Sequence, residues 1–132
     1  MLALDAFDKV LAGKIEPDIR QRAVLSRGEV LYFLKRPADA LVALEPLATE
    51  GVPPEIRARA LYYVGKINAD SGNTDAAVKS LKTLIEALPE NPLVPFARYQ
   101  LAFVYLTRKE TEDAALEFSA VAAAKADDAL RM

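Results

Sequence analysis

The stretch PEIRARALYYVGKINADSGNTDAAVKSLKTLIEALPE, residues 54–90, holds the pattern on which the whole chain is built. Leu61, Val64, Gly65 and Asn68 share one face of a helix, with Tyr62, Lys66 and Ala69 on the face beside it. A second series, Ala77, Leu81, Leu84 and Leu88, follows i, i+4, i+7, i+11, the apolar stripe of an amphipathic helix. Between them, Ser71-Gly72-Asn73-Thr74 is a stop-and-start signal, with Gly72 expected to close the first helix and Thr74 to cap the second. Pro53-Pro54 and Pro89 punctuate the unit on either side. The stretch therefore reads as a helix hairpin.

Shifting the chain on itself by 37 residues extends this reading in both directions. Pro17-Asp18-Ile19-Arg20-Gln21-Arg22-Ala23 falls on Pro54-Glu55-Ile56-Arg57-Ala58-Arg59-Ala60. Gly28, Gly65 and Ala102 coincide, as do Ala40, Ala77 and Ala114, then Leu44, Leu81 and Phe118, then Leu47, Leu84 and Val121. One shift back from the first copy, Ala3, Phe7 and Val10 have the same character. The pattern predicts an all-α chain without strands, with helices at 2–12, 18–34, 37–49, 54–71, 74–87, 93–108 and 111–126. These form one domain over 1–132: a lone second helix at 2–12, then units at 17–53, 54–90 and 91–126. Gly28, Gly65 and Ala102 sit mid-helix, where a glycine costs roughly 1 kcal/mol relative to alanine. The repeated cost implies a close approach of two helices, with Ala40, Ala77 and Ala114 expected opposite. Leu81 and Phe118 are expected to be buried at the hairpin cores.

These columns resemble the tetratricopeptide repeat. The resemblance rests on Val64-Gly65, Gly72, Ala77, Leu81, Leu84 and Pro89, and in the third copy on Leu101-Ala102, Tyr105, Ala114, Phe118 and Val121. It covers essentially the whole chain, with a 37-residue period in place of the usual one of about 34. Asn68 stands where Leu31 and Tyr105 supply apolar or aromatic groups. The longer unit and its linker Leu88-Pro89-Glu90-Asn91-Pro92 resemble repeats of bacterial envelope proteins of the outer-membrane assembly and Tol–Pal accessory kind. The resemblance implies a right-handed solenoid of stacked antiparallel hairpins, first helices lining a concave groove, that serves as a protein-binding scaffold and not as an enzyme.

Composition narrows function by exclusion. The 132 residues carry 17 Lys and Arg against 19 Asp and Glu, a net charge of −2 that lacks the basic excess of a nucleic-acid binder. Hydrophobic residues make up 52%, enough for a core. With neither Cys nor His, thiol nucleophiles, thiolate zinc sites and the usual acid/base triads are all missing. The five glycines are scattered singly, so no phosphate cradle is present. Adjacent Asp127-Asp128 do not share a helix face, and Asp5/Asp8 and Glu110/Asp113 suit helix N-termini. No cofactor and no metal are expected. No run reaches the roughly 18 apolar residues of a membrane span. The start Met1-Leu2-Ala3-Leu4-Asp5 does not read as a signal peptide, so the compartment is periplasmic if a signal has been removed and cytoplasmic otherwise.

Eight of the ten aromatics fall on first helices, leaving only Phe7 and Phe118 on second ones. The stripes expected to face the groove are Arg22, Leu25, Glu29, Tyr32; then Arg59, Tyr62, Lys66, Ala69; then Phe96, Tyr99, Phe103, Leu106. Exposed Tyr and Arg are favoured binding anchors, because they bring large area with a polar handle. Tyr105 belongs to the core stripe instead. The carboxylate clamp of chaperone-binding repeats is not matched, since Leu25, Glu29, Tyr63, Phe96 and Gln100 stand in its places. Arg20, Arg22, Arg57, Arg59 and Lys66 gather towards the N-terminal side, against Glu29 and Asp70, whereas the last stripe carries no charge. The expected partner is an extended or helical protein segment, acidic at one end and apolar at the other. The alternative is that the arginines pair with carboxylates of the neighbouring helix. On the first view, Arg59→Glu weakens binding with little loss of stability. The competing reading is a structural module that assembles with itself or with flanking repeats, its groove filled by its own or flanking helices. Val121-Ala122-Ala123-Ala124 presents no polar cap, which is expected either of a piece of a longer array or of pairing through the terminal helices.

Overall fold

The structure, a computed structural model, describes Leu4, Asp8 and residues 16–131. Among described residues 16–131, six α-helices follow one another: α1 (Pro17–Phe33), α2 (Pro37–Leu44), α3 (Pro54–Asp70), α4 (Thr74–Ala87), α5 (Val94–Thr107) and α6 (Thr111–Arg131). No strand occurs among the described residues. They pair as three antiparallel hairpins, α1/α2, α3/α4 and α5/α6, each stacked on the next. Of the lone helix expected at 2–12, only Leu4 and Asp8 are described, both helical, and the other positions lie outside the described residues. The helix expected at 37–49 stops at Leu44 and continues as a 3₁₀ turn over Glu45–Ala48. Pro46 is the cause: without an N–H it cannot donate to Val42, and the α-ladder breaks.

Each first helix ends in the same backbone lock. Lys35, Gly72 and Lys109, spaced by one period, all have positive φ, at 61°, 82° and 62°. Their amides donate to Tyr32, Ala69 and Leu106, and the next amides reach back to Leu31, Asn68 and Tyr105 at 2.8–2.9 Å. That pair of bonds is the Schellman closure, which satisfies carbonyls a helix end would leave orphaned. Gly72 accepts the left-handed conformation without steric cost, while the two lysines adopt it against their preference. Thr74 does not cap α4, contrary to its expected role. Asn73 holds the cap position, no side-chain capping bond forms, and Thr74 is the first helical residue.

Packing explains the mid-helix glycines in a way the sequence pattern missed. A Cβ built on Gly28 would lie 2.5 Å from Cγ and Cδ2 of Leu44, and one on Gly65 2.7 Å from the same atoms of Leu81. The close neighbours are thus the leucines of the second helices, not Ala40 and Ala77. The core runs continuously between hairpins because α3 contributes to two clusters. Ile56, Ala60, Val64 and Ile67 pack with Leu25, Leu31, Leu44 and Leu47. On its other side, Ala58 and Leu61 join Leu81, Leu84, Ala97, Leu101 and Val104. Leu81 is fully buried as expected. Phe118 is not: it is half-buried, because no further first helix follows α6 among the described residues to cover it.

Candidate partner-binding surface

The C-terminal halves of α1 and α3 border an open cleft of about 490 Å³ lined by Tyr32, Phe33, Lys35, Lys66, Asp70 and Ser71. Tyr32 and Lys66 sit on stripes expected to face the groove, and the stacking of the first two hairpins brings them together. The Tyr32 hydroxyl donates to Asp70 Oδ2 at 3.1 Å. Burial and then the adjacent Asp70 carboxylate push the Tyr32 phenol up to about 12. Lys66 Nζ lies 5.7 Å from the centre of the Tyr32 ring and 5.8 Å from that of Tyr62, within cation–π range of both. Phe33 and Tyr63 extend this aromatic group, with centroids 5.3–5.6 Å from Tyr32. The sequence reading passed over both, and over Asp70 as an acceptor. Their signal was the helical spacing of Tyr63, Lys66 and Asp70, at i, i+3 and i+7, which puts the three on one side of α3, against Tyr32.

The arginines are engaged. Arg59 makes a two-pronged contact with Glu29, Nε to Oε1 at 2.8 Å and Nη2 to Oε2 at 2.9 Å. The Glu29 carboxylate is largely enclosed, and it helps burial push the Tyr63 phenol up. Arg22 reaches Glu55 at 3.5 Å on an open surface. Both pairs run between neighbouring first helices, as the alternative account of the basic cluster expects. It follows that Arg59→Glu would set a like charge against Glu29 and cost stability, which corrects the expectation of a near-neutral change. Leu25 also departs from its expected role. It is 6% exposed and belongs to the core beneath α3, so it lines no groove.

Along α5 the picture changes. Phe96, Tyr99, Phe103 and Leu106 are 61%, 52%, 44% and 42% exposed on a single helix face. Tyr99 and Phe103 meet edge to face with centroids 5.0 Å apart, and both meet Phe118 of α6, at 5.8 and 5.5 Å. Tyr105, by contrast, is buried in the core, and burial raises its phenol, helped by nearby Glu117. Among the described residues no three His, Cys, Asp or Glu side chains gather as metal ligands do, and no helix is long and apolar enough to cross a membrane.

No family model matches this chain, and no curated protein matches it either. Among solved structures, the crystal structure of MamA, a protein containing tetratricopeptide repeats, superposes with a TM-score of 0.73 at 24% identity. The match covers 89% of this chain and 64% of that one, so the chain spans less than two thirds of its neighbour's length. At this identity the likeness speaks to the fold. Together with the hairpin order and the period, it shows a tetratricopeptide-like all-α solenoid.

Proposed function

We propose that the chain is a non-catalytic protein-interaction scaffold, and that a partner segment lies across its first helices. One observation carries the reading: the aromatic side chains concentrate on one face of those helices, as the half-buried Tyr32–Lys66–Tyr62 group and then the open Phe96, Tyr99, Phe103 and Leu106 stripe. Such anchors are what interfaces favour, since large rigid rings bring area at low entropic cost. The polar end of the segment meets Lys66 and Tyr32, and its apolar end meets α5. Arg22, Glu29 and Arg59 lie on α1 and α3 beside the polar end, tied to one another or to Glu55. The cation facing an acidic partner residue is therefore Lys66, held over two rings.

Selection from a displayed random peptide library on the immobilised chain tests this. Enriched peptides should bind more weakly to Lys66→Glu as acidic residues are lost from the contact. That component should fade as salt shortens the Debye length to about 8 Å. Phe103→Ala should weaken binding at every salt concentration. If nothing enriches, or if both variants bind like the parent, the scaffold reading of this face is wrong.

A further inference from the structure

We infer that the cleft between the 3₁₀ turn at Glu45–Ala48 and helix α4 binds a 4-hydroxyphenyl group, the side-chain chemistry of tyrosine. The cleft shares no lining residue with the face assigned above, and the inference stands apart from the scaffold reading. Its volume is about 350 Å³, within the range of about 300–1,000 Å³ usual for small-ligand sites. Buried Leu61, Val64 and Asn68 of α3 form its floor, and half-buried Ala48, Ala76 and Thr83 line its walls. The repeat explains why a cleft lies here. One period on from Leu61, Asn68 and Ser80 stand Arg98, Tyr105 and Glu117. Those three larger side chains cover one another: Tyr105 is buried, and Arg98 Nη1 donates to Glu117 Oε2 at 3.0 Å. In the second unit all three are cut short, and a phenol ring is the largest of the groups removed.

The polar atoms of the cleft select the ligand. Asn68 is only 6% exposed, and its Nδ2 donates to the Val64 carbonyl at 2.9 Å. Its Oδ1 meets no donor among the described residues, yet it is not sealed off from the cleft. An acceptor so deeply placed calls for a donor. The threonine hydroxyls do not supply one, because Thr83 already donates to the Lys79 carbonyl at 2.7 Å and Thr49 to that of Pro46 at 2.9 Å. What the interior offers is therefore acceptor oxygen above an apolar floor. A carboxylate would be repelled by that oxygen, and an ammonium would be desolvated against Leu61 and Val64. A phenol meets both conditions: its ring covers the aliphatic floor and its O–H donates to Asn68 Oδ1. Glu45 and Lys79 stand exposed at the mouth, where the atoms that carry the ring emerge.

N-acetyltyrosinamide and N-acetylphenylalaninamide, which differ by one hydroxyl, are the probes. Titrated into the ¹⁵N-labelled full chain, the tyrosine probe should shift the Asn68 side-chain amide signals with a dissociation constant of about 1 mM, the strength of so small a ligand. The phenylalanine probe should bind about tenfold more weakly, for want of the hydrogen bond. Asn68→Leu, which copies Leu31 of the first unit, should erase that preference, read from the backbone amides of Leu61 and Ser80. Asn68→Tyr should abolish binding by filling the cleft from within as Tyr105 does. Ala76→Trp, at a position that carries Asp39 and Asp113 in the other units, should abolish it from the wall, with circular dichroism confirming the fold of each variant. Lys66→Glu, the groove variant, should leave the titration unchanged. Free tyrosine separates the two sources of the group. Tighter binding than the capped probe, lost in Lys79→Ala, identifies the free amino acid, and equal or weaker binding identifies a tyrosine within a chain; both accord with the site. No shift at Asn68 with the tyrosine probe, equal binding of the two probes, or undiminished binding to folded Asn68→Tyr and Ala76→Trp would overturn the proposal.

Discussion

Replacing Gly65 with alanine should destabilise the protein, although the same change in an ordinary helix stabilises it by about 1 kcal/mol. The added methyl would sit 2.7 Å from Leu81 Cγ and Cδ2, whereas carbon atoms settle at about 3.5–4.0 Å. Leu81 must therefore retreat by about 1 Å. It is fully buried, and forcing extra volume into a packed core costs about 1–3 kcal/mol. The net expectation is a loss of about 1 kcal/mol once the propensity gain is subtracted. Gly65→Leu should be worse. Leu81→Ala alone should cost about 2–5 kcal/mol through its cavity. In that background the obstruction is gone, and Gly65→Ala should now stabilise by about 1 kcal/mol. The reversal of sign corresponds to a coupling of about 2 kcal/mol, inside the range for residues in direct contact. Urea unfolding of the four proteins, followed by circular dichroism at helical wavelengths, measures it. A Gly65→Ala change that stabilises both backgrounds equally would show that Gly65 and Leu81 do not constrain each other.

Three further outcomes follow from the same coordinates. Lys35→Gly and Lys109→Gly should each raise stability by about 1 kcal/mol in urea titrations, since both lysines hold a left-handed conformation, and Gly72→Ala should lower it similarly. Arg59→Glu should cost about 1–2 kcal/mol by leaving the enclosed Glu29 facing a like charge, and adding Glu29→Arg should recover most of that loss. The Tyr32 phenol is raised from 10 to about 12, so folding favours its neutral form. Its contribution is complete below pH 10 and is lost as pH climbs towards 12, so Tyr32→Phe should flatten the alkaline fall in stability relative to the parent.

The hairpins were legible because their cause is local. Apolar spacing at Ala77, Leu81 and Leu84 and prolines at the boundaries act within one unit, and the period multiplies the signal. Errors arose where a residue answers to two elements at once. Leu25 lies on the helix face that carries Tyr99 in the third unit, yet α3 covers it, and exposure at one register therefore depends on what is stacked there. Pro46 lies inside the helix expected at 37–49, yet without an N–H it cannot continue the ladder. The pairing of Arg59 with Glu29 rather than with solvent depends on the stacking distance between α1 and α3, which no single stripe encodes. Lys35 and Lys109 hid the closing turn, because lysine carries none of glycine's conformational signal.

The closures at 35, 72 and 109 use only main-chain atoms, so each joint has one shape whatever side chains surround it. A builder could remove or insert a whole 37-residue unit without recutting a joint, whereas any other length would throw the later stripes out of phase. Side chains are then at liberty to differ from joint to joint, and they do so in order, from Arg22 and Glu29 through Arg59 and Lys66 to Phe96 and Phe103. A backbone that is the same at every step thereby carries a direction. One end is written in charge and the other in aromatic carbon, so the two ends of a uniform backbone are chemically unlike.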